Sequence, residues 1–135
     1  MSDWNDRVVA EFRASGGRVQ GFGSGLVLLH AVGARSGEER VTPVAAVLEG
    51  GSWLVIASAA GAVKDPGWAF NLRAHPDVAI ETPEGSVDVH AIELTEDDEW
   101  APAFDRFLER SATFGEYRER AAPRRMPIFR LEPRG

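Results

Sequence analysis

The chain has 135 residues, enough for one domain and too few for two domains with independent cores. Its 44% hydrophobic and 27% charged residues exclude disordered and fibrous proteins, and the absence of cysteine excludes disulfide scaffolds and thiolate metal sites. A net charge of −6 argues against nucleic-acid binding, which requires many phosphates to be neutralised, but it leaves room for a local pocket that binds one anion.

The first predicted element is a helix over residues 1–15, because Trp4, Val8 and Phe12 recur at helical spacing behind a cap at residue 2 or 3. No signal peptide precedes it, and the longest apolar run, residues 25–32, is far shorter than the ~20 residues that a membrane-spanning helix needs. We therefore expect a cytoplasmic protein without an integral membrane segment. The sequence leaves open whether this helix covers the pocket or contacts a membrane surface.

Short β-strands with turn signals between them dominate the middle of the chain. The pair Gly50-Gly51 and the triplet Pro83-Glu84-Gly85 each predict a hairpin. The six predicted strands cover residues 26–32, 40–48, 53–58, 78–81, 87–94 and 128–131. Strands joined mostly by hairpins do not fit alternating βαβ units, so the pattern favours a mainly β fold, an antiparallel barrel or rolled sheet with helices outside it.

Helices are predicted in two of the connections. One begins with Asp65 as N-cap and Pro66 at its first position. Thr95 and Asp98 are spaced like a capping box that opens a second helix, and a further helical piece covers residues 113–120. No repeat or composition shift divides the chain, which predicts a single domain over residues 1–135 with the barrel over residues 26–133.

The loop between the first two strands, residues 33–40, combines features that a phosphate requires. Arg35 and Arg40 offer charged hydrogen-bond donors, Ser36 offers a hydroxyl, and the loop's two glycines could free backbone N–H groups for an anion. The alternative is a solvated hairpin in which the arginines pair with the two adjacent glutamates.

A second candidate segment follows the third strand, where small residues lead into the helix at residue 66. Its free N–H groups favour a nearby anion. Trp68 and Asn71 lie three residues apart on this helix, and an indole beside an amide could flank a planar heteroaromatic ring. The alternative is that Trp68 and Leu72 pack the helix onto the barrel.

Tyr117, the only tyrosine, could donate a proton or a hydrogen bond to a substrate; the alternative, which the sequence alone favours, is an exposed structural tyrosine. The three histidines, His30, His75 and His90, are scattered without the spacing of metal ligands, and no metal site is predicted.

Three ordered motifs occur at characteristic separations. They read Gly33-x-x-Ser36-Gly37-x-x-Arg40-x-x-Pro43, then Gly61-x-x-Lys64-x-Pro66-x-Trp68-x-x-Asn71-Leu72, then Pro127-Ile-x-x-Leu-x-Pro133. Together they resemble the deazaflavin-dependent nitroreductase family, actinobacterial oxidoreductases that use coenzyme F420 on a split β-barrel like that of FMN-binding proteins. The likeness covers about residues 26–133.

The resemblance implies a reductase that transfers a hydride from reduced F420 to an electron-poor, largely apolar acceptor such as a quinone, an enone or a nitroaromatic. It implies that Ser58 and Tyr117 polarise the acceptor oxygen. The implied cofactor-binding residues are Arg35, Ser36 and Arg40 on the phosphate, with Val41, Thr42, Pro43, Val44, Ala45, Ile56, Ala57, Ser58, Ala59, Gly67, Trp68, Ala69, Phe70 and Asn71 near the ring.

At four positions the chain departs from the family's pattern. A cation usual in the phosphate loop is replaced by Ala34, and a lysine that is frequent in the family after the pair Ala57-Ser58, which ends a predicted strand, is replaced by Ala59. An aromatic residue and a tyrosine that are common in the family are replaced by Ala45 and Phe114. These replacements predict fewer charges at the phosphate site and a wider, less polar substrate pocket.

Two other functions fit the same residues. A phosphate loop beside an aromatic side chain also suits FMN, and an apolar pocket with one tyrosine suits a non-catalytic carrier of deazaflavin or of a lipid-like molecule. For the partners we expect a small apolar acceptor and no nucleic acid, and the sequence does not distinguish a monomer from a homodimer.

Overall fold

The computed structural model describes residues 3–20, 25–58, 61–62 and 64–134, without the side chains of residues 3 and 4. The predictions for a cap at residue 2, for the Trp4 side chain and for Ala59 lie outside the described residues. The strands are β1 (Leu26–Val32), β2 (Glu39–Glu49), β3 (Ser52–Ile56), β4 (Asp77–Thr82), β5 (Gly85–Glu93) and β6 (Ile128–Pro133). The helices are α1 (Asp3–Ser15), α2 (Gly67–Ala74), α3 (Asp97–Arg110) and α4 (Thr113–Ala121).

All neighbouring strands are antiparallel, and the order β1-β2-β3-β6-β5-β4 closes into a barrel because β4 also pairs with β1. Gly50 and Gly51 have positive φ angles of 58° and 88°, which allow the tight turn that places Glu49 opposite Ser52. The predicted mainly β class, with six antiparallel strands in a barrel and helices packed outside, is confirmed.

The barrel interior is filled by alternate residues of all six strands, as the two-residue period of a strand requires. Leu29, Ile80 and Phe129 are among the fully enclosed side chains of this core. Helix α2 adds Ala69 and Leu72 to it, which fixes that helix against the barrel.

The outer faces of the strands carry the other helices. Val8 of α1 packs on Leu28 of β1, while Phe104 and Phe107 of α3 pack on Ile56 of β3. Strand β2 contributes to both outer clusters, so it runs from the α1 side of the barrel to the α3–α4 side. None of the described helices combines the length and the apolar run needed to cross a bilayer.

The segment that leads into α2 differs from its prediction. Strand β3 ends at Ile56, two residues earlier than predicted, and α2 begins at Gly67, with Pro66 rather than Asp65 at the N-cap position and no side-chain capping bond. The physical reason is competition, because the Asp65 carboxylate accepts hydrogen bonds from Arg124 and Arg73.

The predicted capping box of α3 is also wrong. The N-cap residue is Glu96, and no side chain caps the helix. The first helical N–H groups, those of Glu99 and Trp100, bond to the carbonyl of Glu96, so Thr95 lies one residue too early to serve as the cap.

Candidate functional site

A cavity of about 750 Å³ lies between β2 and the junction of α3 with α4. It brings together seven of the predicted site residues, namely Pro43, Val44, Ala45, Ile56, Ser58, Trp68 and Tyr117. The remaining described lining residues are Gly25, Leu26, Ala46, Val47, Phe107, Arg110, Ser111, Thr113 and Phe114. Most of this wall is apolar, and the hydroxyl groups are concentrated at Ser58 and along the α3–α4 side.

Tyr117 is held on that side by neighbouring aromatic rings. Its ring meets Phe114 edge-on at 6.0 Å, and Phe114 in turn meets Phe107 edge-on at 5.4 Å. The Arg120 guanidinium lies 5.9 Å from the centre of the Tyr117 ring. Since such edge contacts favour one ring orientation, the half-buried Tyr117 belongs to an ordered wall rather than to a free surface.

The loop after β3 approaches α4 closely at Gly61. This residue has φ of +80°, and a Cβ atom there would stand 2.8 Å from Cβ of Arg120 and 3.0 Å from Cα of Tyr117. Only glycine satisfies both the positive φ and the contact. Gly61 therefore sets how near the β3–α2 connection lies to the backbone that carries Tyr117.

Arg124 fixes the β3–α2 connection from the other side. Its guanidinium donates to the carbonyl oxygens of Ala57, Ser58 and Ala62 at 2.9–3.0 Å, and to the Asp65 carboxylate at 2.7 Å. The Arg124 side chain is only 10% exposed. The backbone of Ser58, whose side chain lines the cavity, is thus positioned by an arginine that the motifs did not single out.

The loop at residues 33–40, which is called the anion loop from here on, is closed by hydrogen bonds between its own residues. The N–H of Gly33 donates to the carbonyl of Glu38, the N–H of Gly37 donates to that of Gly33, and the N–H of Glu38 donates to Ser36 Oγ at 3.1 Å. The tight turn uses the N–H groups of Gly33 and Gly37 themselves, so neither of these two groups is offered to an anion. The Ser36 hydroxyl retains its proton to donate.

A single hydrogen bond joins the anion loop to α2. The N–H of Ala34 donates to the Asn71 side-chain oxygen at 3.0 Å. This contact brings the two sequence-predicted segments together and leaves the Asn71 amide NH₂ as its remaining polar group. Trp68, one turn earlier on the same helix, lines the cavity and packs on Phe129 with 6.1 Å between ring centres.

Arg35 and Arg40 are exposed and form no ion pair or side-chain hydrogen bond with any residue that the structure describes. The arrangement in which adjacent glutamates neutralise them is not present. Glu39 instead bonds His30, and the Glu38 side chain forms no ion pair with the described residues. Arg40 lies three residues before Pro43, where β2 begins to line the cavity.

His30 is the centre of a charge cluster that joins α1 to the barrel. Its two ring nitrogens lie 2.8 Å from Glu39 and 2.6 Å from Glu81, and Arg13 of α1 binds Glu81 through two donors. Burial opposes the charged ring, but the two carboxylates outweigh that effect and raise the pKa of His30. The hydrogen bonds from Arg13 lower the pKa of Glu81 to about 2. His30 is therefore a strand residue whose two ring nitrogens are both hydrogen-bonded to carboxylates.

The other described residues of the predicted site do not line the cavity. Val41 packs on the α1 side, Ala57 and Ala69 are buried, and Phe70 is 53% exposed beside the Arg73 guanidinium. Thr42 and Gly67 also lie outside the lining, as do the anion-loop residues Arg35, Ser36 and Arg40 and the loop partner Asn71.

Sequence reasoning did not identify most of the cavity wall that α3 and α4 form, and it did not identify Arg124 as the residue that positions the β3–α2 connection. Phe107, Arg110, Ser111 and Thr113 line the cavity although no motif marks them. The amphipathic pattern of α3 could have located Phe107 on a buried face, but no local signal shows that this helix borders a cavity.

A family model for F420H(2)-dependent quinone reductases matches residues 4–133. An F420H(2)-dependent quinone reductase of Mycobacterium tuberculosis is 41% identical over 54 residues, which are 40% of this chain and 36% of that protein. The aligned region thus spans little more than a third of the curated relative.

Two solved structures are similar over most of their length. An F420-H2 dependent reductase, FDR-A, has 30% identity and a TM-score of 0.71 over 80% of this chain and 94% of that chain. A protein described as a domain-swapped dimer has 30% identity and a TM-score of 0.73 over 96% and 98% of the two chains.

These relatives confirm the split-barrel fold and agree with the cofactor that the motifs predicted, while the matched family is named for quinones rather than for nitro compounds. Since the family model covers nearly the whole chain, this protein belongs to the F420H(2)-dependent quinone reductase family.

Proposed function

We propose that this chain binds F420H2 and reduces a quinone to the hydroquinone. The observation that carries the proposal is the cavity, which combines apolar walls, the Trp68 indole and the hydroxyl groups of Ser58 and Tyr117 in one space. The anion loop, whose two arginines have no partner among the described residues, is joined to the Trp68 helix by the Ala34–Asn71 hydrogen bond.

The described residues fit such a cofactor. A planar tricyclic ring requires flat apolar surface, which Pro43, Val44 and Trp68 supply. An anionic tail requires cations that are not neutralised by the protein, and Arg35 and Arg40 meet that condition. Ring and tail would be held on the two sides of the contact between the anion loop and α2.

When bound, F420H2 supplies the hydride, and the quinone takes up one further proton to become the hydroquinone. The protein's own share is to hold the acceptor, to exclude water with apolar walls and to donate a hydrogen bond to the acceptor oxygen. Tyr117 and Ser58 both line the cavity with O–H groups. We assign the polarising role to these two hydroxyls, and no side chain needs to form a covalent bond.

The quinone is preferred over an enone or a nitroaromatic acceptor because the family is named for it and because the cavity walls are mostly apolar. An FMN-dependent reductase and a non-catalytic carrier are the competing functions. Neither has an observation in its favour that the F420-dependent function lacks.

Paired titrations test the cofactor. F420 and FMN are each titrated into the purified chain, and the tighter binding of F420 is expected; tighter binding of FMN would contradict the assignment.

Single-turnover oxidation of protein-bound F420H2 by a panel of quinones then tests the reaction. No oxidation by any quinone would favour the carrier. As a matched variant, Tyr117→Phe keeps the ring and removes the O–H, so slower oxidation with unchanged F420 affinity is expected.

A further inference from the structure

The cavity wall contains a charge that the proposed reaction does not use. Of the described residues that line the cavity, Arg110 is the only one with a charged side chain. It is exposed at the end of α3, and it makes no ion pair and no side-chain hydrogen bond to any residue that the structure describes. A guanidinium without a protein partner at the edge of an apolar cavity has its five N–H donors available to a ligand.

The other arginines on the helices around this wall are engaged. Arg106, one turn before Arg110, donates to Glu49 at 2.9 Å. Arg118 lies 4.9 Å from the centre of the Phe104 ring, and Arg120 lies 5.9 Å from that of Tyr117. Arg110 is thus distinguished from its neighbours by its lack of a partner among the described residues rather than by its residue type.

The backbone around Arg110 is fixed in place. The N–H of Ser111 donates to the carbonyl of Phe107, and Ser111 Oγ accepts from the N–H of Thr113 at 3.3 Å. Both of these hydroxyl residues line the same wall. A cation flanked by two hydroxyls forms a polar edge on a cavity that is otherwise apolar, and this combination suits an aromatic ligand with an anionic oxygen substituent.

This edge lies away from the proposed site of the cofactor tail. Arg40 precedes the cavity-lining part of β2, whereas the last lining residue of that strand, Val47, packs in the α3–α4 cluster with Phe107. Val47 follows Arg40 by seven positions, which corresponds to about 23 Å along the strand at ~3.3 Å per residue. One anionic tail held at the anion loop therefore leaves Arg110 to a second ligand.

We propose that Arg110 is a specificity-determining residue that favours quinones with an anionic substituent, such as a sulfonate, a carboxylate or an ionised hydroxyl, over neutral quinones of the same ring size. The inference rests on the proposed function, because it names the acceptor class of that site. A charged hydrogen bond contributes about 1.5–3 kcal/mol, which corresponds to a discrimination of roughly ten- to a hundred-fold.

The experiment compares two acceptors that share one ring system, 9,10-anthraquinone-2-sulfonate and 2-(hydroxymethyl)-9,10-anthraquinone. We expect Arg110→Met to lower kcat/KM for the sulfonate at least ten-fold and to change that for the neutral quinone less than two-fold. Arg110→Lys is expected to retain most of the preference. The intrinsic reactivity of each quinone cancels when the variant is compared with the parent. Arg106→Ala is the matched control, since Arg106 lies on the same helix but not in the cavity wall.

A binding measurement without cofactor separates this inference from the proposed function. Each anthraquinone is titrated into the chain, and its dissociation constant is read from quenching of tryptophan fluorescence. Weaker binding of the sulfonate to Arg110→Met supports the inference even if F420H2 is never oxidised.

An equal loss for both quinones would mean that Arg110 only stabilises the end of α3, and it would overturn the proposal. Unchanged quinone selectivity together with at least ten-fold weaker F420 binding would assign Arg110 to the cofactor tail and would overturn it as well.

Discussion

The β3–α2 connection and the anion loop are each associated with arginines, but these arginines are in opposite states. Arg124 donates to four acceptors around the β3–α2 connection and is nearly buried, whereas Arg35 and Arg40 of the anion loop are exposed and have no partner among the described residues. An arginine side chain therefore stabilises the fold at the β3–α2 connection, whereas the arginines of the anion loop are available to a ligand.

This difference shows how the site combines rigidity with an open binding position. The guanidinium of Arg124 donates to the carbonyls of Ala57 and Ser58, which lie beyond the last residue of β3, and the Ser58 carbonyl also accepts from the N–H of Gly61. The anion loop needs no such help, because its turn is closed by its own N–H groups. Its arginines therefore contribute little to folding, and a structural explanation for their presence is weak.

The largest expected loss of stability follows from removing the Arg124 side chain. Arg124→Ala leaves three carbonyl oxygens and the Asp65 carboxylate without this donor in a nearly buried place, so we expect the free energy of unfolding to fall by about 3 kcal/mol or more. Urea unfolding measures it. The exposed pair of Arg106 with Glu49 gives the control, since Arg106→Ala should cost less than about 1 kcal/mol. Equal losses of unfolding free energy in the two variants would show that the contacts of Arg124 stabilise the protein no more than an exposed ion pair does.

The close contact between the β3–α2 connection and α4 predicts a somewhat smaller loss of stability. Gly61→Ala adds a Cβ against the backbone of Tyr117 at a residue with φ of +80°, so we expect a loss of about 2 kcal/mol and a displaced Tyr117. Gly37→Ala is the matched control, because Gly37 has φ of +71° and open space around it. Its expected loss is about 1 kcal/mol, from backbone strain alone. Thermal unfolding of both variants should therefore rank Gly61→Ala as the less stable, and the reverse order would contradict the contact.

For the anion loop the expected effect is on binding and not on stability. Arg40→Ala removes an unpaired cation, so F420 affinity should fall at least ten-fold, or about 1.4 kcal/mol, while the free energy of unfolding changes by less than about 0.5 kcal/mol. Isothermal titration calorimetry and urea unfolding on one preparation test both parts. Unchanged affinity would mean that the loop is only a solvated hairpin.

The smallest expected effect concerns the charge cluster that joins α1 to the barrel. The pKa of Glu81 is lowered to about 2 in the folded chain, so its contribution is present above pH ~4.5 and is lost as the pH falls toward 2. The pKa of His30 is raised, so its contribution is present below pH ~6.5 and is lost as the pH rises through the raised value.

The cluster should therefore stabilise the protein most between about pH 4.5 and 6.5. We expect the difference in unfolding free energy between the parent and His30→Gln to be largest in that window and to stay at or below about 1 kcal/mol, because the cluster is partly open to solvent. Urea titrations of both proteins from pH 3 to pH 9 measure the difference. A difference that does not vary with pH would show that His30 acts through packing alone.

The sequence by itself determined the strands, the hairpins and the family. Alternation of apolar residues and paired turn glycines depend on local backbone geometry, so the six strands could be predicted within a few residues. The motifs that carry the family resemblance lie in short segments, such as the stretch from Gly33 to Pro43, and can be recognised without knowing what they contact.

Only the tertiary structure decided which groups meet. Arg124 lies 59 to 67 residues from its four acceptors, and Asn71 lies 37 residues from Ala34, distances at which no local pattern constrains the pairing. The contacts of Asp65 explain the wrong N-cap prediction for α2, since its carboxylate bonds Arg124 and Arg73 instead of capping the helix. The charged edge at Arg110 likewise exists because packing of α3 and α4 on the barrel leaves a space beside it, and a cavity is a property of the packed chain that no single segment encodes.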